Sequence, residues 1–343
     1  MEFTTQDLQK VLAQLDEPRS FLLDTFFPET IESDSEKIEF HRIKGKRRIT
    51  PMVHPTREGK IVDNNGFDAV TFSPAYAKDK RRWDPSAPLK RGLGEQIGGS
   101  LAPAQRMNAL IASTLVDQLD MLTMREEVMA AEALRTGKVT VSGEGYDAVV
   151  VDYGRAAGLT ADLAGNNCWD VVHADSDPLD DLEAFAQLVQ DNDGGNASEV
   201  VLAPSTWKFM RARLVARGEM VMLLDYQRSG TSQLDLGPSG DKVRRIGRLG
   251  TFNLSVYNQS YVDDAGATQQ LMPSGSLIMG SAAIEGARCY GAIQDPKAGF
   301  KASRFFTKTW EEEDPAVQWM LLQSAPLVVP FRANASLYAT VLT

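Results

Sequence analysis

Histidine and cysteine are scarce in this chain, and their scarcity removes much of the usual enzymatic and metal chemistry. Of 343 residues, three are histidine and two are cysteine. Cys168 and Cys289 are too few for a disulfide framework and too widely separated for a close metal-binding pair, so two reduced, buried thiols are expected. His41, His54 and His173 are scattered. The sequence has no Gly-rich phosphate loop, dinucleotide fingerprint, Gly-x-Ser-x-Gly elbow, His-Glu-x-x-His motif or His-x-Glu joined to a cysteine pair. Gly143-x-Gly145 is too short to cradle a phosphate. Asp175, Asp177, Asp180 and Asp181 cluster where a helix is expected to begin, and helix capping explains them better than a bound cation. The expectation is a protein that is not an enzyme, with no catalytic residue, cofactor or metal. Long apolar runs are also missing. Met320–Leu322 and Ala325–Phe331 fall far short of a bilayer span, so no membrane partner is expected. The N-terminus lacks a basic start followed by an apolar stretch, which argues against a signal peptide.

Charge is abundant, and its sign reverses along the chain. Residues 1–40 hold three basic and ten acidic groups, a net of -7, whereas residues 41–91 hold thirteen basic and five acidic groups, a net of +8. The remainder carries -11, so the whole chain stands at -10. An acidic arm followed by a basic segment punctuated by Pro and Gly suits attraction to acidic surfaces, including other copies of the same chain. The overall -10 argues against a general nucleic-acid binder, because phosphate attracts positive charge, although one basic face can still meet a polyanion. With 43% hydrophobic residues, the chain can bury a sizeable core in more than one compact unit.

The acidic arm opens with a short amphipathic helix expected over Thr5–Leu15. The patch Phe21-Leu22-Leu23-Asp24-Thr25-Phe26-Phe27 follows it. Ahead of a charged tract it has little local chain to pack on, so it should dock on a distant part of the fold or on a neighbour. The basic segment runs from His41 through Lys46-Arg47-Arg48 to Lys80-Arg81-Arg82. Asn64-Asn65-Gly66 inside it is a hairpin-turn signal, and the segment reads as a long two-stranded ribbon. A lone hairpin buries too little to stand by itself, so the ribbon needs support from another subunit or a ligand.

From Ala104 to Thr136 neither proline nor glycine occurs, and Ala, Leu, Met, Gln and Glu dominate. Ser100 is a candidate cap, Pro103 suits the first turn and Gly137 suits the C-terminal cap. The heptad pattern is imperfect, so a rod lying across a sheet is favoured over a coiled coil. A hairpin is expected where Lys138–Val141 and Ala148–Val151 flank Ser142-Gly143-Glu144-Gly145. Helices are expected over Leu179–Asp191 and Trp207–Val215, and strands at Val200–Leu202, Phe252–Tyr257 and Leu277–Met279, with a loop around Gly237–Gly240. Glu311-Glu312-Glu313-Asp314 reads as an exposed acidic loop and as an electrostatic complement to a neighbour's basic ribbon.

Several of these segments, in their order and spacing, resemble the phage major capsid protein E family of lambda-like tailed bacteriophages. The early aromatic patch, Thr71–Lys78, Leu134–Lys138, Ser142-Gly143-Glu144, Val151–Arg155, Tyr290–Asp295 and Gln323–Leu327 carry the resemblance, which spans nearly the full length. It implies an α+β capsid fold: an N-terminal arm (1–40), an extended loop (41–100), a peripheral domain (101–200) with a long spine helix (103–136), and an axial domain (201–343) with strands returning to the peripheral domain. It also implies hexamers and pentamers closing into an icosahedral head around double-stranded DNA, bound without sequence specificity. Scaffolding, portal and decoration proteins are the implied partners, the virion the implied location, and the host cytoplasm the implied place of assembly. A shell of the same fold enclosing protein cargo is the alternative. Inter-subunit contacts are expected at Phe21, Phe26 and Phe27 in the arm, at Arg47, Arg48, Lys80, Arg81 and Arg82 in the basic segment, and at Glu311, Glu312 and Glu313. No lysine–asparagine crosslinking pair is assigned.

Overall fold

The computed structural model describes residues 20–343 apart from 36, 45–48, 61–65, 73, 75, 84–85, 87–88, 90–101, 144, 194, 220–241 and 315–316. The helix expected over Thr5–Leu15, Ser100, Arg47, Arg48 and the loop at Gly237–Gly240 therefore lie outside the described residues. Four α-helices are described: α1 (Phe21–Phe26), α2 (Pro103–Thr136), α3 (Pro178–Asp193) and α4 (Pro204–Arg217). The strands of the first half are β1 (Glu29–Glu32), β2 (Ile38–Lys44), β3 (Gly66–Phe72), β4 (Ala77–Trp83), β5 (Lys138–Gly143), β6 (Tyr146–Asp152), β7 (Thr160–Asp162) and β8 (Glu199–Leu202). Those of the second half are β9 (Val243–Leu249), β10 (Phe252–Tyr257), β11 (Ser260–Val262), β12 (Thr268–Gln270), β13 (Ser276–Gly280), β14 (Gly286–Tyr290), β15 (Phe306–Glu312), β16 (Val317–Ser324), β17 (Pro326–Pro330) and β18 (Ser336–Thr340).

The 34 residues of α2 form the expected rod, about 50 Å long at about 1.5 Å per residue. Pro103 occupies its first turn, and the Gln105 side chain accepts the Ala102 N–H at 3.0 Å, which satisfies one of the groups a helix start leaves free. At the other end Gly137 adopts φ 70°, and its N–H returns to the Ala133 carbonyl at 2.9 Å. Arg155 donates to the Leu134 and Arg135 carbonyls, so a half-buried guanidinium completes the C-terminal cap. Ile111, Leu115, Leu122, Ala130 and Leu134 keep helical spacing on the buried stripe. Ile111 and Leu115 pack with Trp83 and Met320, while Leu119 and Leu122 meet Leu322. The helix thus lies across a three-stranded antiparallel sheet ordered β15-β16-β4.

That sheet revises the reading of the basic segment. Only β2 and β3 form a two-stranded ribbon, paired from Ile38↔Phe72 to Lys44↔Gly66. Gly66 pairs with Lys44, so residues 45–65 connect the two strands, and Asn64 and Asn65 of the expected turn lie outside the described residues. Lys78–Trp83 is instead an edge of the C-terminal sheet, antiparallel to β16. Alternation then separates its side chains. Arg81 and Trp83 turn toward α2, where Arg81 reaches Asp117 at 2.9 Å, and Lys80 lies over Trp319 on the other face.

A second unit is a six-stranded mixed sheet ordered β7-β18-β13-β8-β10-β9. Val200, Val201 and Leu202 of β8 are buried, as a continuous apolar run in a central strand requires. Leu182, Phe185 and Val189 from α3 and Trp207, Met210 and Leu214 from α4 cover one face. The opposite face joins a larger core with α1, the C-terminal half of α2, β14 and β17. The apolar runs Met320–Leu322 and Ala325–Phe331 contribute to two strands, β16 and β17, separated at Ala325.

Candidate assembly surfaces

The aromatic patch of the arm is taken up by the chain itself. Phe26 and Phe27 are fully buried in the larger core, and Phe21 is half-buried with its ring 5.3 Å from that of Tyr257. Of the two docking sites open from the sequence, these phenylalanines occupy the distant part of their own fold. Phe26 and Phe27 therefore have no surface to offer a neighbour, which corrects their expected place at inter-subunit contacts. Arg288 Nε donates to the Phe27 carbonyl at 2.9 Å and its Nη2 meets Asp24 at 2.6 Å. β1 then pairs in parallel with β14, extending the sheet β1-β14-β17.

Two buried glutamates of the rod were overlooked in the sequence, and the first of them secures this segment. Glu127 of α2 accepts the Leu22 N–H at 2.8 Å, the Leu23 N–H at 3.1 Å and the Tyr257 hydroxyl at 2.7 Å. It thereby satisfies donors that the first turn of α1 leaves free. Glu126 accepts the Tyr290 hydroxyl at 3.0 Å and faces Arg304 Nη2 at 3.5 Å. Both glutamates are buried, and burial pushes both carboxyls up from the ordinary range against the pull of these partners. The same burial raises the Tyr257 and Tyr290 hydroxyls. The signal was present: Glu126 shares the helical stripe with Leu119, Leu122 and Ala130, where a solvent-facing acid does not belong.

The outer face of the β15-β16-β4 sheet combines aromatic and charged groups. Trp310 and Trp319 sit opposite each other on adjacent strands, their rings 6.3 Å apart and nearly parallel at 18°. Lys80 Nζ lies 3.8 Å from the Trp319 ring centre and 5.3 Å from that of Trp310. Trp319 Nε1 donates to Glu312 at 3.0 Å. Lys308 pairs with Asp295. Burial alone would push the Asp295 carboxyl up, but Lys308, Gln323 and the Lys297 N–H outweigh it and hold it at about 2.

The other residues expected at subunit contacts divide accordingly. Lys80, Arg81 and Glu312 have partners within the chain, Arg81 pairing with both Asp79 and Asp117 at 2.9 Å. Arg82, Glu311 and Glu313 are exposed. Glu311 and Glu312 end strand β15 rather than lying in a loop, because they pair with Gln318 and Val317.

The acidic cluster before α3 is a helix cap. Asp177 accepts the Leu179 N–H at 3.0 Å and the Asp180 N–H at 3.3 Å, and it also pairs with Arg217. Among the described residues no group of three or more His, Cys, Asp or Glu side chains is arranged to hold a metal. Cys168 and Cys289 are free and buried, and burial pushes the Cys289 thiol up to about 11. No described helix is long and apolar enough to cross a membrane.

A long helix on a three-stranded sheet, a six-stranded α/β unit and a two-stranded excursion together form the subunit fold of tailed-phage shells. A crystal structure of a protein assigned as a prophage capsid protein of Escherichia coli CFT073 matches 99% of each chain, with a TM-score of 0.78 and 24% identity. The chain belongs to the phage major capsid protein E family, whose sequence profile matches residues 4–341. It is similar to the major capsid proteins of Enterobacteria phage P21 and Escherichia phage lambda, each 29% identical over 334 residues and covered to 95% on both sides.

Proposed function

We propose that this chain is the structural subunit of a phage head, assembling as hexamers and pentamers into an icosahedral shell around double-stranded DNA. The family match across residues 4–341 carries the reading. Scaffolding and portal proteins act with it during assembly in the host cytoplasm, a decoration protein joins the finished shell, and DNA is held without sequence specificity. Residues 1–40 serve as the arm, 41–100 as the extended loop and 103–136 as the spine. Residues 101–200 serve as the peripheral domain and 201–343 as the axial domain, with strands returning to the peripheral domain. The core of the six-stranded unit draws on residues from Leu159 to Val341, and β8 runs through its middle. The role is mechanical, and no catalytic group is assigned.

Co-expression with the neighbouring gene products, followed by electron microscopy and light-scattering mass, tests the reading. Closed shells that contain DNA when isolated from the native source are expected. A persistent monomer in the presence of those products, or shells filled with protein cargo, would overturn it.

A further inference from the structure

The six-stranded unit is electrically polarised from one end of its sheet to the other. β9 is an edge strand whose outer side is unpaired among the described residues. It and the residue before it carry Lys242, Arg244, Arg245 and Arg248, all exposed, in a stretch without an acid. No described residue forms an ion pair with these four side chains. Helix α4, packed on the adjacent β10, does not extend this charge, because its Arg217 pairs with Asp177 ahead of α3 and its Arg213 is buried. The far end has the opposite sign. Helix α3, which packs over β18, contains five acidic residues and no basic one. Asp180, Glu183 and Asp191 lie exposed on it, and Asp162 is exposed on the edge strand β7. Four strand spacings separate β18 from β9, about 20 Å at about 4.8 Å each, too far for the two ends to neutralise each other in salt.

We infer that the basic β9 edge of one copy docks against the acidic α3 face of the next, as a head-to-tail contact that closes the axial units into a ring. This rests on the shell-subunit reading and names the surfaces that it leaves open. A ring of identical chains requires two different, complementary patches on opposite sides of one subunit, and this sheet presents them at its two ends. Charge on an edge strand also guards against unwanted strand pairing, but that purpose does not require a matching acidic surface across the same unit. Arg244 and Arg245 lie on opposite faces of β9 because successive strand side chains alternate, and the bulge at Ile246 brings Arg248 onto the face of Arg245. The edge can therefore straddle an opposing helix rather than meet a flat sheet.

Three variants test the contact: Arg244→Glu/Arg245→Glu/Arg248→Glu, Glu183→Arg/Asp191→Arg, and all five changes together. Each is co-expressed with scaffold, its folding checked by circular dichroism melting, and its ring and shell yield measured at 0.15 M and 0.5 M salt. Each one-sided reversal should lower yield at the lower salt about tenfold or more, since several exposed pairs of a few-fold each are inverted. The combined variant should recover to within about twofold of the unchanged chain. If a reversal fails to melt cooperatively, Arg245→Gln and Asp191→Asn provide the same comparison at smaller amplitude. Unchanged yield in both one-sided variants, or no recovery in a folded combined variant, overturns the contact. Normal assembly with DNA retention lost only in the β9 variant would also overturn it and assign the strand to nucleic acid. Failure of the unchanged chain to assemble would instead refute the shell-subunit reading itself.

Discussion

Gly286→Ala should release the N-terminal segment while leaving the rest of the fold in place. A Cβ at Gly286 would fall inside van der Waals contact with the Phe26 carbonyl oxygen and Phe27 Cδ1, and even Phe27 Cε1 would lie at only 3.0 Å. One of these neighbours is backbone, and the others belong to a fully buried ring that has no free volume to swing into. Residues 20–32 must therefore shift as a body. The shift stretches the Leu22–Glu127 bond of 2.8 Å and the Arg288–Phe27 bond of 2.9 Å. Overpacking costs about 1–3 kcal/mol, and weakening a hydrogen bond to a charged group costs about 1.5–3 kcal/mol. Since these terms overlap, a loss of about 3 kcal/mol is expected, or roughly a hundredfold in the opening equilibrium. Native-state hydrogen exchange reads it directly. The Leu22 and Leu23 amides, bonded to Glu127, and the Ser33 amide, bonded to the Tyr290 carbonyl, should exchange about a hundredfold faster. The amides of β8 should keep their protection, because they lie in the six-stranded sheet. Unchanged protection at Leu22 and Leu23 would refute the steric argument. Equal acceleration everywhere would refute the claim that the segment opens separately.

Two further expectations concern buried polar groups. Asp295 is held at about 2, below its ordinary 3.8, so its contribution is present above about pH 4 and is lost as pH falls toward 2. Asp295→Asn should therefore be less stable at neutral pH and show a shallower loss of stability between pH 4 and 2; an acid limb parallel to the unchanged chain's would contradict the assignment. Tyr257→Phe removes one donor from buried Glu127 and should cost about 1.5–3 kcal/mol in urea unfolding, whereas an unmoved midpoint would mean that the hydroxyl carries no net stabilisation.

Much of the architecture was legible locally. The proline- and glycine-free run 104–136, bounded by Pro103 and Gly137, identified α2 to the residue, because helix formers and terminators act within a few positions of themselves. The hairpin around Gly145, which adopts φ 79°, and the Asp177 cap were legible for the same reason. The basic segment was not. Its alternation fits a ribbon strand and a sheet edge equally well, and pairing of β4 with β16, more than 200 positions away, depends on contacts that no local pattern records. The aromatic arm presented the same ambiguity. Three phenylalanines announce that something must be covered, but not whether a neighbour or the chain's own glycines will cover them.

By itself, therefore, the sequence determined the rod, the hairpin around Gly145, the charge reversal and the family. Tertiary structure alone decided which charges face water. Glu126 and Glu127 are ordinary helix residues until Tyr257, Tyr290, Arg304 and the amides of α1 enclose them. Lys80 and Arg81 are surface cations until Trp319 and Asp117 engage them. The physical reason is range. Backbone preference is a property of neighbouring residues, whereas burial and electrostatic pairing belong to groups that only the folded chain brings together.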